Sequence, residues 1–129
     1  MIFIQGDGYT VEIGDNVSFD QEVSLVCCEG TSILIGDDCM FAKGVRVRTS
    51  DQHPIYDANG ERINYPHNVI IGTHVWIGAT SLIMKGVEIG DGTVIGINSM
   101  VTKRLPENVV AVGQPCRIIK NNIHWERKF

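Results

Sequence analysis

Four histidines, His53, His67, His74 and His124, are the side chains of this 129-residue chain best suited to exchanging a proton near neutral pH. A histidine can take the proton of a hydroxyl as that hydroxyl becomes a nucleophile, provided it is held within hydrogen-bond reach. His53 has the best place for such work. It falls where a regular stretch gives way to a long irregular one, so its ring can face a cleft. Asp51 either orients that ring or sits as a solvated turn carboxylate. His67 reads as a loop-surface residue, His74 as a turn residue and His124 as part of a tail. The four cysteines (Cys27, Cys28, Cys39 and Cys116) make no CxxC pair, and no His/Cys group has zinc-site spacing, so no metal site is expected. Cys39 reads as a small buried hydrophobe.

A repeat must position these groups. From Ile71 to Pro106 the chain reads IGTHVW, IGATSL, IMKGVE, IGDGTV, IGINSM, VTKRLP, six consecutive hexads headed by Ile71, Ile77, Ile83, Ile89, Ile95 and Val101. The fifth position is small or aliphatic throughout: Val75, Ser81, Val87, Thr93, Ser99, Leu105. A period of six fits neither a helix nor a simple alternating strand. It fits short strands joined by tight turns, with Gly86, Gly92 and Asn98 at fourth positions, where a left-handed backbone is easily tolerated. Three such sides close one coil of a triangular prism, so Ile71 stacks on Ile89, Ile77 on Ile95 and Ile83 on Val101. The pattern predicts an all-β parallel β-helix. Trp76, sixth in its hexad, points outward and asks for a partner.

The repeat begins earlier, with Ile13 to Ser18 as a clear hexad and further heads at Phe19 and Leu25. The stretch Cys28-Glu29-Gly30-Thr31-Ser32 adds residues before the next head, Ile35, and reads as a lengthened corner. Residues 53–70 then abandon the pattern and hold two of the four prolines and an Asn-Gly turn. Regular coils flank them on both sides, so a loop extruded from one corner is predicted. After Pro106 the repeat decays, and residues 117–126 are expected to form a short C-terminal helix or tail that caps the last coil.

The totals limit the partners. At this length residues 1–129 read as a single domain. A net charge of −4 argues against a nucleic-acid partner held by bulk electrostatics. No apolar run approaches the roughly twenty residues of a membrane span, so membrane insertion is not expected and a cytoplasmic location is.

Taken together, these residues resemble the hexapeptide-repeat acyltransferases. The likeness rests on the loop Ser50-Asp51-Gln52-His53-Pro54-Ile55-Tyr56-Asp57 with Gly60 to Asn64, on His74-Val75-Trp76-Ile77-Gly78, and on Val101-Thr102-Lys103 with Gly113-Gln114-Pro115-Cys116-Arg117. It is closest in character to the sugar and polysaccharide O-acetyltransferases, including the sialic-acid group. The resemblance implies a left-handed parallel β-helix, a homotrimer with sites at the subunit interfaces, acetyl-CoA as donor, no metal and a carbohydrate acceptor. It places the general base at His53. Trp76, Ala79, Ile97, Thr102, Lys103 and Arg117 are then the cofactor-binding positions, Lys103 and Arg117 meeting the phosphates. Asp20, Arg62 and Asn64 are the acceptor-side candidates, although Arg62 and Asn64 would equally serve to fix the loop. The alternatives are an acetyltransferase acting on a non-sugar acceptor such as an amino acid or antibiotic, a non-catalytic assembly or binding module, and a zinc carbonic anhydrase. The last needs three converging histidines, which the spacing of His67 and His74 does not supply.

Overall fold

The computed structural model describes residues 2–5 and 8–129. They form fifteen short strands: β1 (Ile2–Gln5), β2 (Thr10–Ile13), β3 (Ser18–Phe19), β4 (Val23–Val26), β5 (Ser32–Ile35), β6 (Met40–Phe41), β7 (Arg46–Arg48), β8 (Val69–Ile71), β9 (Trp76–Ile77), β10 (Leu82–Ile83), β11 (Glu88–Ile89), β12 (Val94–Ile95), β13 (Met100–Val101), β14 (Val110–Val112) and β15 (Arg117–Lys120). Consecutive strands from β1 to β13 fall in rotation on three sheets. Sheet A runs β1-β4-β7-β10-β13, sheet B β2-β5-β8-β11, and sheet C β3-β6-β9-β12-β14-β15. Every pairing is parallel except that of β14 with β15. This is the three-sided topology the repeat predicts, and it is consistent with the left-handed form that the resemblance implies.

The hexad heads set the register. Ile71 lies beside Ile89, Ile77 beside Ile95, and Ile83 beside Val101. The ladder continues upward through Ile35, Phe41 and Val47 despite the intervening loop. All these heads are buried, as are the fifth-position residues from Val75 to Leu105. A polar fifth residue stays satisfied because a corner carbonyl is always in reach: the Ser99 hydroxyl donates to the Gly96 carbonyl (2.7 Å) and that of Thr93 to Pro106 (2.7 Å). Cys39 behaves as expected, buried with its thiol toward the Gly72 carbonyl, and burial pushes its pKa up to about 11.

The corners are columns of left-handed residues. Between sheets B and C stand Asn16, Asp38, His74, Gly92 and Asn108, all with φ between 55° and 72°. Each after Asn16 is tied to the coil above by a backbone bond, for example His74 N–H to the Asp37 carbonyl at 2.8 Å. The lengthened corner at Cys28–Ser32 is present between sheets A and B, with Glu29 and Gly30 both left-handed.

Two expectations need correction. The C-terminal helix is absent: among the described residues there is no helix, and 117–120 form β15. The last strand of sheet C would otherwise leave an edge of unpaired backbone groups, which an antiparallel strand pairs and a helix does not. Asn122 then adopts φ 55°, which ends any regular run, and residues 121–129 continue as an irregular tail. The extruded loop also ends earlier than 70, because Val69 and Ile70 pair with Ile33 and Leu34 in β8.

Candidate functional site

The predicted site residues fall into two regions on different sides of the prism. The first is the loop, anchored at the corner between sheets A and B. Its tip is a small hairpin in which Ile63 N–H donates to the Ile55 carbonyl at 2.9 Å and Tyr56 bridges Arg62. Its base is a polar network around Asn64, which is buried. The Asn64 amide donates to the Asp51 carboxylate (2.9 Å) and to the His53 carbonyl (2.8 Å), and its oxygen accepts from Ile55 N–H (2.6 Å). Asp51 also receives the Lys85 ammonium at 2.6 Å, which, with Asn64, holds its carboxyl below the usual range. Arg62 forks onto Glu29 at 2.8 and 3.1 Å and lies over the Tyr65 ring. That pairing lowers the Glu29 pKa and raises that of Arg62.

His53 is thereby fixed through its backbone while its side chain stays exposed. Asp51 turns to Lys85 and Asn64, so the expectation that it orients His53 gives way to a role in holding the loop base. Asn64 is likewise occupied at the loop base, and Arg62 is taken up by Glu29 of the lengthened corner. Of the other histidines, His67 is exposed in the loop, as expected.

The second region is the face of sheet C and its corner with sheet A. Trp76 points outward as predicted, 38% exposed. It lines a groove of about 380 Å³ with Ser18, Phe19, Asp20, Met40, Phe41 and Ala42. The structure therefore brings together two residues that the sequence nominated separately, Trp76 and Asp20. Ala79 and Ile97 stack on the adjoining corner, where Asn98 N–H donates to the Ala79 carbonyl at 2.7 Å. Ile97 is 71% exposed, so its side chain is not part of the core. The turn after β14 closes below this corner, with Gly113 at φ +103° and the Gln114 amide on the Asn98 carbonyl. Arg117 follows on β15 and is exposed; Thr102 and Lys103 are exposed too, but they stand at the turn from sheet A to sheet B, between Val101 of β13 and Leu105, which bridges Ile89. Among the described residues neither Lys103 nor Arg117 is paired with a carboxylate, so both are available to an anionic ligand. No group of three His, Cys, Asp or Glu side chains suited to a metal ion occurs among the described residues.

Residues 68–103 match the family model described as bacterial transferase hexapeptide (six repeats). The fold superposes on galactoside acetyltransferase in complex with coenzyme A with a TM-score of 0.76 and 30% identity, covering 99% of this chain and 70% of that one. The chain belongs to the hexapeptide-repeat acetyltransferases. Within this family it is 47% identical over 103 residues to a polysialic acid O-acetyltransferase of Escherichia coli O1:K1 / APEC. It is 40% identical over 116 residues to a galactoside O-acetyltransferase of Escherichia coli strain K12. These matches cover 79% and 88% of this chain, and the chain spans only 34% and 55% of the length of those two relatives. No helix among the described residues is long and apolar enough to cross a membrane.

Sequence reasoning missed how the tail of this chain is held. His74 is a corner residue, as read, but its ring also bonds both Asp38 and the Trp125 carbonyl. Trp125 is buried, and Arg127 is bonded to Asn16, Ser18, Asp38 and Cys39. The one available signal was a histidine at the fourth hexad position, where glycine or asparagine is easier to accommodate.

Proposed function

We propose that this chain is an acetyl-CoA-dependent O-acetyltransferase acting on a hydroxyl of a sugar or polysaccharide, with residues 1–129 working as one domain. The observation that carries the reading is the match, across nearly the whole chain, to galactoside acetyltransferase in complex with coenzyme A. His53 takes the proton of the acceptor hydroxyl as its oxygen attacks the thioester carbonyl. The carbonyl oxygen gains negative charge and is met by a backbone N–H. The carbon–sulfur bond then breaks, and the leaving thiolate takes back the proton from His53. No covalent enzyme intermediate is needed.

Each further assignment follows from position. Trp76, Ala79 and Ile97 lie along one edge of sheet C and offer a strip for an extended, amide-bearing arm. Thr102, Lys103 and Arg117 are exposed near the last coil, and the two cations suit phosphate. Asp20 shares the Trp76 groove. Arg62 and Asn64 act on the acceptor side by shaping the loop that carries His53. That loop is moored opposite the face bearing Trp76, so we place each active site between two protomers of a homotrimer, one giving His53 and the next the sheet C groove. The direct test is mass spectrometry of acetyl transfer from acetyl-CoA onto a panel of galactosides, sialic acids and capsular oligosaccharides. Addition of one acetyl group, lost in a hydroxyl-blocked acceptor, is the expected result. Binding of acetyl-CoA without transfer to any carbohydrate would move the acceptor outside this class.

A further inference from the structure

The tail after β15 runs back along the corner between sheets B and C. Ile123 N–H donates to the Asn108 carbonyl at 3.0 Å, Trp125 reaches His74 and Arg127 reaches Asp38 and Asn16. It therefore crosses the same column of left-handed corner residues from the last coil to one of the first. At its centre the His74 ring lies flat on the Trp125 indole, centroids 3.8 Å apart and planes within 7°. The indole N–H donates to the His74 carbonyl at 2.8 Å. Trp125 also meets Trp76, whose ring centroid is 5.8 Å from that of Trp125 at 47°. Arg127 donates to Ser18, which lines the same groove as Trp76.

The two ring nitrogens of His74 face acceptors only. Nδ1 is 2.6 Å from Asp38 Oδ2 and Nε2 is 2.8 Å from the Trp125 carbonyl oxygen. A neutral imidazole carries one N–H and one lone pair, so it can satisfy only one of them; the imidazolium satisfies both. An imidazolium stacked on an indole face also gains a cation–π attraction. The surrounding charges agree. Asp38 is held below the usual carboxylate range, chiefly by His74 and then by Arg127, and so stays anionic. His124 lies 6.4 Å from the His74 ring and is paired with Glu126, while the Cys39 thiol beneath the corner stays neutral.

We propose that residues 121–127 form a strap that positions Trp76, with doubly protonated His74 as its clasp and Trp125 as the brace on the Trp76 ring. Losing the clasp proton sets a nitrogen lone pair against an oxygen lone pair and frees the strap. Trp76 then loses a wall of its site, and ligand affinity falls while the proton-transfer chemistry at His53 is untouched. This inference rests on the reading of Trp76 as a cofactor contact only for its effect on acetyl-CoA.

The chain has two tryptophans, so Trp125→Phe and Trp125→Ala each leave Trp76 as the sole reporter. Acrylamide quenching of Trp76 is expected to be at least about twofold greater in the alanine variant, because the brace is gone. In Trp125→Phe, which keeps the backbone carbonyl facing His74, quenching should be greater in alkaline than in acidic buffer. It should be flat in the added presence of His74→Asn. The KM for acetyl-CoA should rise about five- to tenfold in Trp125→Ala with kcat within about twofold, and Trp125→Phe should recover most of it. If the alanine variant does not fold, Arg127→Ala made in the Trp125→Phe chain, where Trp76 is still the sole reporter, should raise quenching above that of Trp125→Phe alone, and no rise overturns the strap. Equal quenching in the two Trp125 variants, or quenching in Trp125→Phe that ignores pH, overturns the strap. Failure of the unaltered protein to bind acetyl-CoA would instead overturn the cofactor reading and leave the strap to be judged by quenching alone.

Discussion

His53 illustrates how a side chain can be free while its backbone is fixed. The bond from Asn64 to the His53 carbonyl pins the main chain, and the imidazole is left exposed. His53→Ala should lower turnover by about 10²- to 10⁴-fold with acetyl-CoA affinity nearly unchanged, measured by steady-state kinetics and calorimetric titration. Near-normal turnover would remove it from the role. The ion pairs beneath the loop set its response to acid. Asp51 and Glu29 both titrate below their ordinary values because Lys85 and Arg62 hydrogen-bond their charged forms. A depressed carboxylate stabilises the folded form above the unfolded pKa, and that support is lost as the pH falls through the folded value. The protection of the Ile55 and Ile63 amides, taken relative to their intrinsic exchange rates, should therefore fall on acidification below about pH 4, ahead of protection in the core, and hold constant from about pH 6 to 8.

The coils are the elements that hold these groups, and their tolerance is set by how closely backbones stack. A Cβ at Gly78 would lie 2.6 Å from the Ile97 nitrogen and 2.8 Å from the Ile95 carbonyl oxygen, both of the coil below. Neither atom can yield without parting β9 from β12. Gly78→Ala should cost about 2–4 kcal/mol in urea denaturation and disturb the Ala79–Ile97 corner with it. Gly60, at the loop tip, has open space around it and φ +80°. Its alanine variant should cost only the left-handed strain, about 1–2 kcal/mol, confined to the hairpin. Equal losses at the two positions would mean that the coils are looser than their spacing implies. β15 belongs to the same scale, since it pairs the edge of β14 that a helix would have left bare.

For the molecule as a whole, the consequence of a three-sided prism is that a corner and the opposite face never meet. The loop carrying His53 is moored at the corner of sheets A and B through Glu29, Thr49 and Lys85, whereas Trp76 stands on sheet C. If a neighbouring protomer completes each site, His53→Ala and Trp76→Ala chains, each inactive alone, should regain activity when refolded together. Random assembly of equal amounts into trimers leaves about a quarter of the interfaces with both residues intact, which sets the expected recovery. No recovery, in a sample shown by native mass spectrometry to have mixed, would place both residues in one protomer or outside the site.

The repeat was legible because it is enforced at every coil. A head residue must be buried and a fifth residue must be small enough for the corner, so Ile71, Ile77 and Ile83 announced their partners Ile89, Ile95 and Val101 before any coordinates. Trp76 followed from the same count, since the sixth position faces outward. Beyond the repeat, chain order carries little geometry. That Asn64 is a buried hub, that Asp51 answers Lys85 rather than His53, and that Trp125 is braced against His74 and Trp76 all depend on contacts between residues far apart in the chain. Sequence alone determined the prism and the faces of its residues, because the period of six acts locally. Only the tertiary structure decided where the loop and the tail are tied, because those bonds join segments that no period relates.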